Sequence, residues 1–221
     1  THDGKLYYQT PAGDYWRVYV LIENALSYEQ ITPEGAYLAG KAYGEFQCQL
    51  ASLDADTLVE SIPNFHNLEF RIQQLHEALE KDAAGRKAET KDIADYLLQR
   101  AESMCIAETL YREGKLPKRI NHCDTKINNM LFNAEGNPMC IVDLDTVMPG
   151  FVLSDFGDFI RTAANTGAED DRNLDNIPSI YQGLLIHSYL PHSSRNQFAS
   201  IWLQTHEFYA SSAFLYRLPQ W

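Results

Sequence analysis

Between Asn121 and Asp143 the chain reads Asn-His-Cys-Asp-Thr-Lys-Ile-Asn-Asn-Met-Leu-Phe, then Asn-Ala-Glu-Gly-Asn-Pro, then Met-Cys-Ile-Val-Asp. Two apolar runs around an Asn/Gly/Pro turn predict a β-hairpin. Such a hairpin brings Asn129, before its first strand, close to Asp143, after its second. Asp124 then lies on the loop that enters it. Three oxygen-bearing side chains and Lys126 are thereby confined to one end of one small element.

That grouping suits transfer of a phosphoryl group. A carboxylate such as Asp124 can take the proton of an attacking hydroxyl as the new bond forms. An amide oxygen (Asn129) and a second carboxylate (Asp143) are the hard donors that magnesium prefers. A lysine two residues after the base, Lys126, can offset charge growing on the transferred group. The order His122, Asp124, Asn129 is also that of the kinase catalytic loop, in which the metal-binding Asn follows the base by five residues.

At these residues the chain resembles the protein-kinase-like phosphotransferases, the aminoglycoside and choline kinase branch in particular. The run from Ile141 to Gly150 (IVDLDTVMPG), followed by Ser154-Asp155-Phe156-Gly157-Asp158-Phe159-Ile160-Arg161, is similar to the N-acetylhexosamine 1-kinases and mucin-desulfatase-like proteins. The resemblance extends over about residues 16–175. It implies an α+β, protein-kinase-like fold: a helical large lobe with a catalytic β-hairpin, preceded by the last strands of a small lobe. It implies ATP and Mg2+ as cofactors, with Asp124 and Lys126 as catalytic residues, Asn129 and Asp143 as metal ligands and His122 in a structural role. The segment Glu23-Asn24-Ala25 stands where the hinge receives adenine, mostly through backbone groups. Asp145, Asp158 and Arg161 become candidates for the acceptor pocket, with helix capping and surface ion pairs as their alternative reading. The implied reaction is phosphorylation of a small-molecule hydroxyl, a sugar in first place and N-acetylhexosamine at its anomeric position. An aminoglycoside- or choline-type acceptor, or a non-catalytic truncated fragment, are the alternatives.

Composition narrows the field further. The 221 residues are 45% hydrophobic and 22% charged, enough for one or two domains with a sizeable core. The net charge of −12 lacks the basic footprint of a nucleic-acid or anionic-membrane binder. Cys48, Cys105, Cys123 and Cys140 show neither Cys-x-x-Cys pairing nor zinc spacing, which points to reduced thiols and a cytoplasmic protein. Cys123 is read as a packed small residue. No transmembrane run or signal peptide is visible.

Along the chain, residues 5–10 and 15–22 read as two strands around the turn Pro11-Ala12-Gly13-Asp14. Thr32 is an N-cap and Pro33 the first residue of a helix to Leu50, with Tyr37, Leu38, Ala42, Phe46 and Leu50 as its core face. A second helix is expected over 68–81. A long third one is expected over 92–113, with Ile93, Tyr96, Leu97, Met104 and Leu110 inward, ended by Gly114-Lys115-Leu116-Pro117. His66 and His76 lack metal spacing and read as core or surface histidines. A last helix begins at Ser154-Asp155, one of which serves as cap.

This organisation predicts three parts: residues 1–24, the end of a small lobe with its hinge; 25–175, the large catalytic lobe; and 176–221, an atypical tail. A phosphate loop and a small-lobe lysine have no candidate before Tyr15 beyond Lys5, so the chain reads as a fragment. Residues 176–221 hold only Arg195, Glu207 and Arg217 as charged side chains. They are either an aromatic buried helical end or the product of a shifted reading frame.

Overall fold

The computed structural model describes residues 3–163. The expectations for 176–221 lie outside the described residues. The order begins with a hairpin of β1 (Tyr8–Gln9) and β2 (Tyr15–Trp16), paired antiparallel with Tyr8 opposite Trp16. Its turn closes through Thr10 and Asp14. These strands are shorter than the sequence predicts. Residues 17–22 form no strand, and Val18, Val20 and Leu21 are exposed.

Helix α1 (Pro33–Leu50) starts where expected: the Thr32 side chain accepts from the Gly35 N–H at 3.1 Å, and Pro33 needs no partner at that position. Its buried face differs from the predicted one. Ala36, Ala39, Gly40, Tyr43 and Gly44 are buried, whereas Tyr37 is 42% exposed and Leu38, Ala42, Phe46 and Leu50 lie on the flanks. The buried spacing is helical but offset by one residue. Small residues let α1 approach its neighbours closely, and Tyr43 alone supplies bulk there.

Helix α2 (Leu68–Lys81) matches its predicted range. The expected long helix is instead two, α3 (Lys91–Met104) and α4 (Ile106–Arg112), broken at Cys105. Neither Pro nor Gly marks the break. It re-aims α4 so that Glu108 accepts from the first N–H of α2, on Leu68, and Arg112 pairs with Glu69 through two bonds of 2.9 and 2.7 Å. Leu97 and Met104 are buried, as expected, but Ile93 and Tyr96 are each 46% exposed.

Three short antiparallel strand pairs are present among the described residues. The second unites β3 (Arg119–Asn121) with β6 (Met148–Gly150), Asn121 opposite Met148. The third is the predicted hairpin, β4 (Met130–Phe132) against β5 (Pro138–Ile141), with Met130 opposite Ile141. Asn133 nucleates its turn, accepting at its side chain from the N–H groups of Glu135 and Asn137, and Gly136 supplies a positive φ of 81°. Helix α5 (Val152–Ala163) closes the described residues.

Two apolar clusters meet at α5. One gathers Ala36, Ala39 and Tyr43 of α1 with Ile127, Met130 and Phe132 and with Phe156, Phe159 and Ala163 of α5. The other joins Leu68 and Leu75 of α2 to Leu97 and Met104 of α3 and Leu153 of α5. The β4–β5 hairpin is thus packed against α1 and α5. No helix among the described residues is long and apolar enough to cross a membrane.

Candidate active site

The loop from His122 to Asn129 owes its shape to buried polar anchors. The Asp155 carboxylate, fully buried, accepts from the backbone N–H of His122 at 2.9 Å and of Cys123 at 2.8 Å, and from Gln47 Nε2 of α1 at 2.7 Å. Thr125 donates to the Asp155 carbonyl, and the Ile127 N–H donates to the Thr162 hydroxyl at 2.9 Å. The Tyr43 hydroxyl donates to the Lys126 carbonyl at 3.2 Å. Asp155 is therefore no helix cap, as the sequence suggests. It lies inside α5, which begins at Val152, and ties that helix to the loop. Burial lifts its carboxyl to about 7, against the pull of the three donors and with Asp158 adding to the rise.

His122 is fully buried and bridges the loop to the hairpin. Its Nε2 donates to the Val142 carbonyl at 2.9 Å, and its Nδ1 accepts from the Asp124 N–H at 3.3 Å. The partners fix the Nε2-protonated tautomer. The rings of Tyr43 and Phe46 pack on it, with centroids 6.0 and 5.9 Å away.

Cys123 adopts φ 65°, a left-handed conformation uncommon for a side chain of this type. Its thiol is buried, and burial pushes its pKa well above the usual thiol range, so it is inert packing as expected. The turn at Cys123 carries the chain into Asp124.

Asp124 and its predicted partners do converge. Asn129 Nδ2 donates to Asp124 Oδ2 and to the Asp124 carbonyl, both at 2.8 Å, and Lys126 Nζ lies 2.9 Å from the same Oδ2. With Nδ2 so engaged, the Asn129 Oδ1 is the atom a cation would take. Burial disfavours the Lys126 ammonium, but its bond to Asp124 and the charges of Asp124, Asp143 and Asp158 outweigh this and raise its pKa.

The hairpin continues its register one step beyond the strands: the Val142 N–H donates to the Asn129 carbonyl at 2.9 Å. Asp143 follows at once, exposed and in the left-handed region with φ 62° and ψ 53°. Asn129 and Asp143 thereby sit at the same end of the hairpin, as the spacing predicts. The pair offers hard oxygen donors, the chemistry magnesium requires. No group of three His, Cys, Asp or Glu side chains among the described residues forms a metal cluster by itself. An ion held here would complete its shell with phosphate oxygens and water.

The three acceptor candidates separate. Asp158 joins the cluster: its carboxyl feels both Asp124 and Lys126, and burial raises its pKa while Arg161, 2.8 Å away, opposes the rise. Arg161 also bonds Asp158 through Nε at 3.1 Å. Asp145 is exposed, and its carboxylate is engaged by Arg17 of the segment after β2. Its carbonyl accepts from Ser61 at 3.1 Å.

The hinge candidates are tethered to the hairpin. Leu26 and Phe132 exchange two backbone bonds of 2.8 Å, and the Ser27 hydroxyl donates to the Asn128 carbonyl at 3.0 Å. Glu23, Asn24 and Ala25 immediately precede this bridge, with Asn24 at φ 56°. Sequence reasoning missed the role of Asp155, which looks like a cap because it opens an apolar helical run.

A family model, that of the phosphotransferase enzyme family (APH), matches residues 5–183. Among solved structures the chain is similar to Plasmodium vivax ethanolamine kinase, with 18% identity and a TM-score of 0.57 over 96% of this chain and 60% of that one. It is also similar to the ADP-bound aminoglycoside phosphotransferase APH(2'')-Ib, with 15% identity and a TM-score of 0.46 over 90% of this chain and 69% of that one. At such identities the likeness is one of fold. That to the ethanolamine kinase bears out the expected α+β, protein-kinase-like class, and the chain spans 60% of the length of that kinase. The family match runs unbroken through the hinge candidates, the loop of Asp124 and the hairpin to α5 and beyond, and the chain belongs to the phosphotransferase enzyme family.

Proposed function

We propose that this chain carries the catalytic centre of an ATP-dependent, cytoplasmic small-molecule kinase whose acceptor is the anomeric hydroxyl of an N-acetylhexosamine. The observation that carries the kinase reading is the convergence of Asn129 and Lys126 on Asp124 Oδ2. Both donors fall on one oxygen, and the other is left for the acceptor hydroxyl. Asp124 is then the general base, which takes that proton as the hydroxyl oxygen attacks the terminal phosphorus. Lys126 holds the base in place and offsets charge on the transferred group. The backbone of residues 23–25 receives the adenine. Asn129 and Asp143 would hold magnesium, which when bound neutralises and orients the phosphates.

The sugar is favoured by the pairing of the nearby carboxylates. Asp145 is matched by Arg17 and Asp158 by Arg161. Carboxylates so neutralised accept hydrogen bonds from sugar hydroxyls, while a cationic amine is better served by unopposed negative charge. The similarity of residues 141–161 to N-acetylhexosamine kinases points the same way. The test is ADP formation from ATP with N-acetylglucosamine, N-acetylgalactosamine, ethanolamine, choline and an aminoglycoside as acceptors. Turnover is expected with the two sugars. Turnover confined to the amines would transfer the assignment to the amino-alcohol or aminoglycoside reading.

The metal assignment has its own test. Asp143→Ala and Asn129→Ala should each weaken magnesium-dependent ATP binding measured by calorimetry. Because both serve one ion, the double variant should depart from additivity by about 0.5–3 kcal/mol. An unchanged magnesium titration in both single variants would reject the pair.

A further inference from the structure

Asp143, the candidate magnesium carboxylate, stands in the left-handed region at φ 62° and ψ 53°. A residue with a side chain holds that conformation where its surroundings over-determine it. Before it, the Val142 carbonyl accepts from His122 Nε2 at 2.9 Å. After it comes a single 3-10 turn, Leu144–Thr146, closed by the Val147 N–H on the Leu144 carbonyl at 3.2 Å. Thr146, the last residue of that turn, is half-buried, and its hydroxyl donates to the His122 carbonyl at 2.8 Å. The chain then enters β6, where Met148 lies opposite Asn121 of β3.

One residue of the catalytic loop thus grips both flanks of Asp143. His122 reaches the flank before it with its ring and the flank after it with its carbonyl. His122 is itself fixed, because its N–H donates to the buried Asp155 carboxylate at 2.9 Å. The turn has a second, separate anchor. Ser61 Oγ, from the segment between α1 and α2, donates to the Asp145 carbonyl at 3.1 Å and lies 3.7 Å from Met148 Sδ. Ser61 supports the turn from outside, whereas Thr146 ties it to the residue that leads into Cys123 and Asp124.

We propose that Thr146 is a positioning residue of the magnesium site: by holding the His122 carbonyl it sets the direction in which Asp143 presents its carboxylate, and it joins the metal turn to the loop that carries Asp124. The proposal rests on the phosphotransfer reading above for the identity of the ion. A hydroxyl suits the task because it is a directed donor that places no charge beside a cation. With both flanks of Asp143 held by His122, the metal carboxylate and the base are suspended from the same residue. Phosphoryl transfer needs the two at a fixed separation, since the base must meet the hydroxyl that attacks the phosphorus.

The experiment compares Thr146→Val, which keeps the shape and removes the donor, with Thr146→Ser, which keeps the hydroxyl. Ser61→Ala is the third variant, because it weakens the same turn without touching His122. Amide hydrogen exchange is followed in peptides covering 141–150 and 119–132, beside calorimetry of magnesium-ATP binding and acceptor kinetics. In Thr146→Val, exchange over 143–148 should rise roughly three- to tenfold, the factor carried by one net hydrogen bond. The dissociation constant for magnesium-ATP should rise by about the same factor with KM for the acceptor unchanged, and Thr146→Ser should recover both. Magnesium-ATP should slow exchange over 121–125 in the wild type and in Ser61→Ala, and this protection should be lost in Thr146→Val, because the bond links the two sites reciprocally. Unaltered exchange over 143–148 or unaltered magnesium-ATP affinity in Thr146→Val overturns the proposal. So does a Thr146→Ser variant as impaired as Thr146→Val, or a Ser61→Ala variant that loses the loop protection equally, which would make Thr146 one structural support among several. If the wild-type chain binds no magnesium-ATP, the metal reading fails by itself, and the exchange comparison over 143–148 still decides whether Thr146 fixes the turn.

Discussion

Asp124→Asn is expected to lower turnover by roughly 100- to 10,000-fold, the range for loss of a positioned general base. The geometry makes the outcome sharp. Oδ2 of Asp124 faces two donors, Lys126 Nζ at 2.9 Å and Asn129 Nδ2 at 2.8 Å. An Asn at this position must turn its own oxygen toward those donors, because its NH2 group would clash there. Its NH2 then points to the acceptor hydroxyl, where it can donate a hydrogen bond but take no proton. Loop geometry should survive, since Asp155 and His122 anchor the backbone independently of this side chain. Acceptor and magnesium-ATP affinities should change far less than the rate. Single-turnover measurement of phosphoryl transfer separates the two effects. A rate near that of the wild type would remove Asp124 from the role of base.

The parts of this arrangement that were legible in the sequence are those fixed locally. The hairpin announced itself because Asn133, Gly136 and Pro138 punctuate two apolar runs, and the register follows from turn geometry. Thr32-Pro33 marked the start of α1 for the same kind of reason. What stayed hidden depends on long-range contacts. The buried stripe of α1 was misplaced by one position because the large rings of Tyr37 and Phe46 offer far more area to bury than Ala36, Ala39, Gly40 and Gly44. Close approach of α5 and the hairpin selects the small residues instead. The break at Cys105 carries no Gly or Pro, and it serves Glu108 and Arg112, which grip α2 some 40 positions earlier in the chain. The pairing of β3 with β6 joins segments flanking the whole hairpin, which no local pattern encodes. Asp155 was the omission at the site. It acts on the loop through the backbone N–H groups of His122 and Cys123, and a backbone partner leaves no signature in side-chain spacing.

Asp155→Ala is expected to be the most damaging substitution for the fold of the catalytic loop. It leaves the N–H groups of His122 and Cys123 buried without an acceptor, and it frees Gln47. Each stranded buried donor costs about 1–3 kcal/mol. Two of them consume a large share of the roughly 5–15 kcal/mol that holds a domain together. Removing a buried charge offsets part of that loss, and the size of the offset depends on pH. The folded carboxyl titrates at about 7, above the ordinary value of about 3.9 for an unfolded Asp. Between pH 4 and 7 the native state therefore binds more protons than the unfolded one. Stability from this group is greatest below pH 4, declines as pH rises through that window, and is level above 7. Asp155→Ala should accordingly cost more stability at pH 5 than at pH 8, by up to about 3 kcal/mol at 1.36 kcal/mol per pH unit. Activity should move the other way in the wild type. A protonated carboxyl no longer presents both oxygens fully to the backbone N–H groups, so the loop loosens as the pH falls through 7. Urea denaturation of both proteins at pH 5 and pH 8, beside the pH profile of turnover, tests the two trends together. An equal stability loss at both pH values would mean that Asp155 stays ionised throughout, held by His122, Cys123 and Gln47 as a permanent anion beneath the catalytic loop.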